Sequence, residues 1–290
     1  MFRRREPSST KKHVKVLGAD MAYVEVGQGR PIVFLHGNPT SSYLWRHVIP
    51  EVAGSGRCIA PDLIGMGDSQ KVGSGPRSYR FVDHRTYLDA LLEVLGVHEN
   101  VVIVGHDWGG ALGFDWANRH RAGVGAIVYM ETLVMPVTWD DWPEAGRHIF
   151  AAMRSEAGAE MILDKNVFVE RILPASVLTP LSEETMAQYR RPYLEQGEGR
   201  RPTLTWPREI PIDGEPAAVV EVVQRYGRWL SESKVPKLFI NADPGSILVG
   251  RARQFCRAWP NQTEVTVPGI HFIQEDSGRQ IGRAIADWLT

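Results

Sequence analysis

The chain has 290 residues, 43% of them hydrophobic and 23% charged, with a formal net charge of -1. That length suits one large α/β domain or one domain with an insertion, and the near-neutral balance gives no electrostatic case for nucleic acid or an anionic membrane surface. Two cysteines, Cys58 and Cys256, are too few for a disulfide framework and lack metal-ligand spacing, so no metal site is expected.

The basic start, Phe2-Arg-Arg-Arg-Glu-Pro-Ser-Ser-Thr-Lys-Lys12, has no apolar h-region after it. It reads as a disordered tail over residues 1–12 and not as a secretory signal. No window approaches the roughly 18 apolar residues that span a bilayer. A cytoplasmic location is the expectation, with the periplasm left open. Residues 14–17 and 21–26 alternate apolar and polar side chains around Gly18-Ala-Asp20, which predicts an antiparallel hairpin at a sheet edge. Residues 31–36 are a continuous apolar run, as a strand buried on both faces requires. Gly37-Asn38-Pro39-Thr40 then leads into helical spacing over 43–52. A strand over 57–61 follows, and Tyr87, Leu88, Leu91, Leu92 and Leu95 mark one face of a helix over 81–95.

The segment Val101-Val-Ile-Val-Gly-His-Asp107-Trp108-Gly-Gly-Ala-Leu112 is a strand, a sharp turn and a helix start. It is the G-x-Nuc-x-G pattern of a nucleophile elbow, with Asp107 at the nucleophile position. A carboxylate held there would form an ester with its substrate; capping of the following helix is the competing use of an Asp. A further strand over 125–131 completes an alternation of strands and helices, which calls for a mostly parallel sheet with helices on both faces.

From residue 132 to 213 no buried-strand run occurs. Amphipathic helical pieces at 140–155, 158–164, 167–173 and 182–195 are separated by breaks at Pro174, Pro180, Pro202, Pro207 and Pro211. This predicts an all-helical cap inserted into a core built from residues 13–131 and 214–290. The core resumes with a helix over 215–230, a strand over 237–241, a helix over 250–258, a strand over 264–267 and a closing helix over 280–289.

Asn38, Asp107 with Trp108, Glu131 and His271 all fall at predicted strand ends on one edge of that sheet. An aspartyl ester must be hydrolysed, and His271, in a Gly-x-His turn, is placed to act as the general base. The base needs an acid partner, for which Glu131 and Asp243 compete. His36 and His106 are assigned to backbone support, and His13, His47, His84, His98, His120 and His148 to the surface.

The stretches His36-Gly-Asn-Pro-Thr-Ser-Ser-Tyr-Leu-Trp45, Pro61-Asp-Leu-Ile-Gly-Met-Gly-Asp-Ser69, Gly105-His-Asp-Trp-Gly-Gly110 and His271-Phe-Ile-Gln-Glu-Asp276 together resemble the haloalkane dehalogenases of the α/β-hydrolase superfamily. The likeness covers nearly the whole chain after the tail and looks closest to the branch containing the hexachlorocyclohexane-pathway (lindane) dehalogenase. By match, the resemblance makes Asp107 the nucleophile, His271 the base and Glu131 the acid. Asn38 and the Trp108 indole would hold the leaving halide, and the main-chain N–H groups of the same two residues would form an oxyanion hole.

It further implies a pocket lined by Trp142, Phe150, Phe168, Pro207, Ile210 and Ile247. Ser176 would lie near the tunnel mouth, where the nearest branch carries something bulkier and apolar. A small apolar halogenated substrate and a halide ion are the implied partners, with no metal or organic cofactor; the oligomeric state is left open. Two other readings share parts of this pattern. An epoxide hydrolase would need cap tyrosines, for which Tyr189, Tyr193 and Tyr226 are available, and a coelenterazine-type luciferase shares the Asp-Trp elbow.

Overall fold

The apolar runs become the strands of a single sheet in the computed structural model, which describes residues 11–290. In chain order they are β1 (Lys12–Val16), β2 (Ala19–Val26), β3 (Pro31–Leu35), β4 (Arg57–Pro61), β5 (Val101–Asp107), β6 (Val124–Thr132), β7 (Lys237–Pro244) and β8 (Gln262–Gly269). Across the sheet they run β1-β2-β4-β3-β5-β6-β7-β8. β2 is antiparallel to β1 and to β4, and the other pairings are parallel. The main helices are α1 (Phe81–Val94), α2 (Trp108–Arg119), α3 (Glu144–Arg154), α4 (Glu183–Arg190), α5 (Arg201–Glu209), α6 (Ala217–Glu232), α7 (Gly250–Arg257) and α8 (Ile273–Leu289). Among the described residues no helix is long and apolar enough to cross a membrane.

Both faces of the sheet are covered, and the alternation of side chains along each strand shows how. Val33 and Leu35 of β3 join one buried cluster while Ile32 and Phe34 join another; Val101 and Ile103 of β5 part from Val102 and Val104 in the same way. The first cluster takes in Leu88 of α1, Phe114 of α2 and Val223 of α6, and the second takes in Ile281 and Ile285 of α8. Each fully buried Val, Ile or Leu contributes roughly 1.5–3 kcal/mol. Packing on both faces therefore holds β3 and β5 at the centre, where their C-terminal ends open side by side.

Several local expectations are corrected. Two residues of the expected tail over 1–12 are ordered: Lys12 opens β1, and Lys11 Nζ lies 2.6 Å from both Asp62 Oδ2 and Asp68 Oδ2; residues 1–10 lie outside the described residues. Residues 43–52 are not one helix but a 3₁₀ turn at Ser42–Trp45 and a short α-turn at Ile49–Val52. Pro50 has no N–H to give to the preceding turn, so a continuous helix would lose a bond there. Three expected proline breaks lie inside helices instead: Pro174 in the turn Leu173–Ala175, and Pro202 and Pro207 in α5. Pro202 sits in a first turn, where no bond is lost; Pro207 does remove one. α8 starts earlier than expected, at Ile273, with a non-helical kink at Ser277. His84, expected at the surface, is 1% exposed, because it faces inward from the apolar side of α1.

The helical segment after β6 is closed at its neck. Val137 N–H donates to Pro211 O at 3.0 Å, and Asp213 N–H donates to Val137 O at 3.0 Å. Within it Met153, Ile162, Val167, Phe168 and Leu204 form their own small buried cluster.

The turn between β5 and α2 tolerates no extra atoms. A Cβ on Gly109 would lie 2.1 Å from Leu35 O, in the backbone of the neighbouring strand. Gly109→Ala is expected to destabilise the fold by roughly 1–3 kcal/mol, as overpacking does. Chemical denaturation checks this, and an unchanged midpoint would contradict the packing described.

Candidate functional site

β5 ends and α2 begins on consecutive residues, so the chain reverses at Asp107, whose φ of 54° and ψ of -129° are a strained backbone conformation for a non-glycine residue. Thr132 Oγ1 donates to Asp107 O at 2.6 Å and secures the turn. The Asp107 side chain makes no N-cap hydrogen bond to α2, which removes the helix-cap reading. Instead Asp107 Oδ1 accepts from Asn38 N–H at 2.8 Å, across from the end of β3.

Glu131 owes its direction to an irregularity in the sheet. His106 pairs with Met130 but Asp107 pairs with Thr132, so Glu131 is the extra residue of a bulge, with φ of 39°. A bulge re-aims a side chain. The Glu131 carboxylate is 1% exposed. It is held by main-chain donors of the loop after β7: Ser246 N–H at 2.9 Å, Ile247 N–H at 2.7 Å and Leu248 N–H at 3.3 Å. These bonds compensate the burial of a charge, which would otherwise cost several kcal/mol.

His271 lies between the two carboxylates. Its Nε2 is 3.5 Å from Asp107 Oδ2 and its Nδ1 is 3.5 Å from Glu131 Oε2. Asp243, the other candidate partner, is exposed on β7 and forms no ion pair with His271 among the described residues. The His271 backbone is tied down as well: its N–H donates to Ser176 O at 3.1 Å, and its carbonyl accepts from His106 Nε2 at 2.9 Å. His36 also supports the backbone, since its Nε2 accepts from Leu63 N–H at 2.9 Å.

Burial disfavours charge on His271, but hydrogen bonding to Asp107 and Glu131, and then their charges, outweigh it and lift the pKa from 6.5 to about 9. Burial likewise pushes Asp107 upward, yet the hydrogen bond and charge of His271, aided by His106 and Trp108 N–H, hold it below 3.8. Burial lowers His106 to about 3, so that ring stays neutral. A raised folded-state pKa means that the stability contributed by protonated His271 is complete below pH 6.5 and is lost as pH rises through about 9. The gap in denaturation midpoint between wild type and His271→Gln is therefore expected to shrink between pH 6.5 and 9. A gap that held level or widened over that range would contradict a protonated imidazole between the two carboxylates.

Asn38, Asp107, Trp108 and His271 share the wall of one cavity of about 410 Å³. Trp142, Phe150, Phe168, Ser176, Pro207, Ile210 and Ile247 line it too, so the structure brings the expected pocket residues together. Leu133, Ile149, Ile172 and Ile270 are further lining residues that the sequence reading missed. Two of them carried a usable signal: Ile172 lies about one helical turn after Phe168, and Ile270 adjoins His271. The loop donors that hold Glu131 had none, because they are main-chain groups. Arg171 also borders the cavity, as an exposed guanidinium. A carboxylate with one oxygen anchored, a buried imidazole against the other, and an indole and a carboxamide facing an apolar cavity can together displace a leaving anion and then hydrolyse the resulting ester.

The chain is similar to known proteins of one fold family. Residues 30–278 match the family model described as alpha/beta hydrolase fold. A haloalkane dehalogenase of Sphingobium indicum is 59% identical over 285 residues, covering 98% of this chain and 96% of that protein. A coelenterazine h 2-monooxygenase of Renilla reniformis is 44% identical over 264 residues, covering 89% of this chain and 83% of that protein. Among solved structures, a haloalkane dehalogenase from Bradyrhizobium elkani superposes with a TM-score of 0.92 at 43% identity, over 97% of each chain.

Proposed function

The chain belongs to the haloalkane dehalogenase family of α/β hydrolases, enzymes that convert a haloalkane and water into an alcohol, a halide ion and a proton, and we propose that Asp107, His271, Glu131, Asn38 and Trp108 carry that reaction here. Asp107 Oδ2 attacks the halogen-bearing sp³ carbon in line. The carbon–halogen bond breaks, halide leaves with the electron pair, and a neutral alkyl ester remains. Asn38 Nδ2–H and Trp108 Nε1–H receive the halide, two donors that add no competing charge. Residues 132–213 act as a cap that keeps this step away from bulk water.

The second step follows from electrostatics. In the free enzyme His271, with a pKa of about 9, is protonated near neutral pH and cannot act as a base. Esterification removes the Asp107 charge and with it much of what raises the imidazole. Burial then acts against Glu131 alone, the pKa falls, and the proton departs. Neutral His271 takes a proton from water, hydroxide attacks the Asp107 carboxyl carbon, and the oxyanion forms beside the Asn38 and Trp108 N–H groups. Collapse releases the alcohol and restores the carboxylate. Each preorganised oxyanion donor of this kind is worth about 2.7–4 kcal/mol.

One observation carries this reading. Asp107 is fixed by Asn38 N–H at 2.8 Å and faces His271 at 3.5 Å, at an apolar cavity that Trp108 also borders. The epoxide reading lacks its proton donors among the three tyrosines it would draw on: Tyr226 donates to Leu133 O at 2.6 Å, Tyr189 donates to Glu275, and Tyr193 is fully buried, so none of the three lines the cavity. The test is halide release from short bromo- and chloroalkanes. No release across such a panel would overturn the proposal, and light emission with coelenterazine would favour the other reading.

A further inference from the structure

The halide donors named above come from the core, yet both are met by one helix of the cap, α5. Trp108 stacks on Trp206 of α5, with ring centroids 4.5 Å apart and planes 22° from parallel. The Trp206 ring also stacks on His84 of α1 at 4.2 Å and 18°. Its Nε1–H is directed to Met66 Sδ at 3.4 Å, which pins the ring against sliding. Exposure is 2% for Trp108, 0% for Trp206 and 1% for His84. Among the described residues neither ring nitrogen of His84 has a hydrogen-bond partner, so this residue serves the column as a flat face.

Asn38 Nδ2 reaches the same helix, donating to Thr203 O at 3.5 Å. That carbonyl is open for a reason written in the sequence. In a regular α-helix it would accept from the N–H four residues on, but that residue is Pro207, which has none. A carbonyl can only accept, so it selects the NH₂ end of the Asn38 carboxamide. Among the described residues buried Asn38 Oδ1 has no partner, and no competing bond turns the group the other way. Were the carboxamide reversed, an oxygen would face the anion.

We propose that α5 is the positioning element of the halide site: Trp206 sets the Trp108 ring plane by stacking, and Pro207, by withholding its N–H, leaves the Thr203 carbonyl to orient Asn38. This rests on the assignment of Asn38 and Trp108 as halide donors. Trp206 and the Thr203 carbonyl act through those two groups and are positioning features.

The test compares wild type with Pro207→Ala, Trp206→Leu and Trp206→Phe. It reads bromide inhibition, the rate of enzyme alkylation by 1-bromobutane, and the rate of ester hydrolysis. Pro207→Ala supplies the missing N–H, which competes for Thr203 O. It is expected to weaken bromide inhibition and slow alkylation about threefold to tenfold, the range of one neutral hydrogen bond, and to slow alkylation more than ester hydrolysis. Trp206→Leu should do the same, and Trp206→Phe, which keeps an aromatic face, should recover part of the loss.

A merely structural role would move thermal stability but not bromide inhibition, and a pocket-volume role would not be partly rescued in Trp206→Phe, since Trp206 does not line the cavity. Pro207→Ala removes a helix-breaking residue, so it keeps the test open should Trp206→Leu not fold. If wild type is alkylated and bromide-sensitive while Pro207→Ala matches it in both, the positioning role of Pro207 is overturned. If wild type itself shows neither alkylation nor bromide inhibition, the parent assignment fails instead.

Discussion

His271→Phe incubated with 1-bromobutane is expected to gain the mass of one butyl group and to keep it. The first step needs only Asp107 and the halide donors, and these lie at the end of β5, at the start of α2 and in the turn after β3. The second step needs a base, and no other histidine takes that place: His106 is neutral and already bonded to the His271 carbonyl. Loss of the base should lower turnover by roughly 10²–10⁴. The substitution also removes the cation that helps keep Asp107 ionised, leaving burial, the largest influence on that carboxyl, less opposed. Alkylation should therefore be slower than in wild type and should recover as pH is raised. Peptide mapping should place the butyl group on Asp107. An unmodified mass, under conditions where wild type releases bromide, would rule out the ester route.

Glu131→Gln is the second large effect. A carboxamide keeps the shape but cannot fix the imidazole tautomer or stabilise the imidazolium, and in serine triads the equivalent exchange costs about 10⁴ in kcat. The loss should fall mainly on ester hydrolysis, so adduct should build up in rapid-quench samples. The loop donors sharpen the prediction. Ser246 and Ile247 N–H both point at Oε2, and an NH₂ group placed there would face two donors. Each buried donor left unsatisfied costs about 1–3 kcal/mol, so a lowered unfolding midpoint should accompany the kinetic defect. Asp243→Asn, on an exposed carboxylate, should match wild type. Wild-type hydrolysis by Glu131→Gln would return the acid role to Asp243.

Most of the fold was legible because its signals are local. Buried parallel strands are written as unbroken apolar runs: β3 and β4 lie within a residue of where those runs stand, and β5 starts with its run at Val101 but continues three residues past it, through the elbow to Asp107. The elbow was legible for the same reason, since glycines around Asp107 are what a strained turn needs. Prolines misled: Pro202 and Pro207 were expected as breaks, yet both lie within α5, because burial of Leu204 and Trp206 outweighs one lost helical bond. His84 misled as well, for a polar residue on a helix does not announce that an indole lies beneath it.

The sequence by itself determined the carboxylate on the turn, the histidine after the last strand, the indole and carboxamide near them, and the apolar residues of the cavity wall. The carboxylate and the histidine are marked by their own turns, whereas the halide roles of the indole and carboxamide and the make-up of the cavity wall came from the family resemblance. Only the tertiary structure decided which carboxylate lies against His271, because that depends on a one-residue bulge in the pairing of β5 with β6 and on three main-chain N–H groups from a distant loop. It also decided that one cap helix meets both Asn38 and Trp108. Register and backbone hydrogen bonds between remote segments leave no mark in residue type, so they become readable only once the chain has closed on itself.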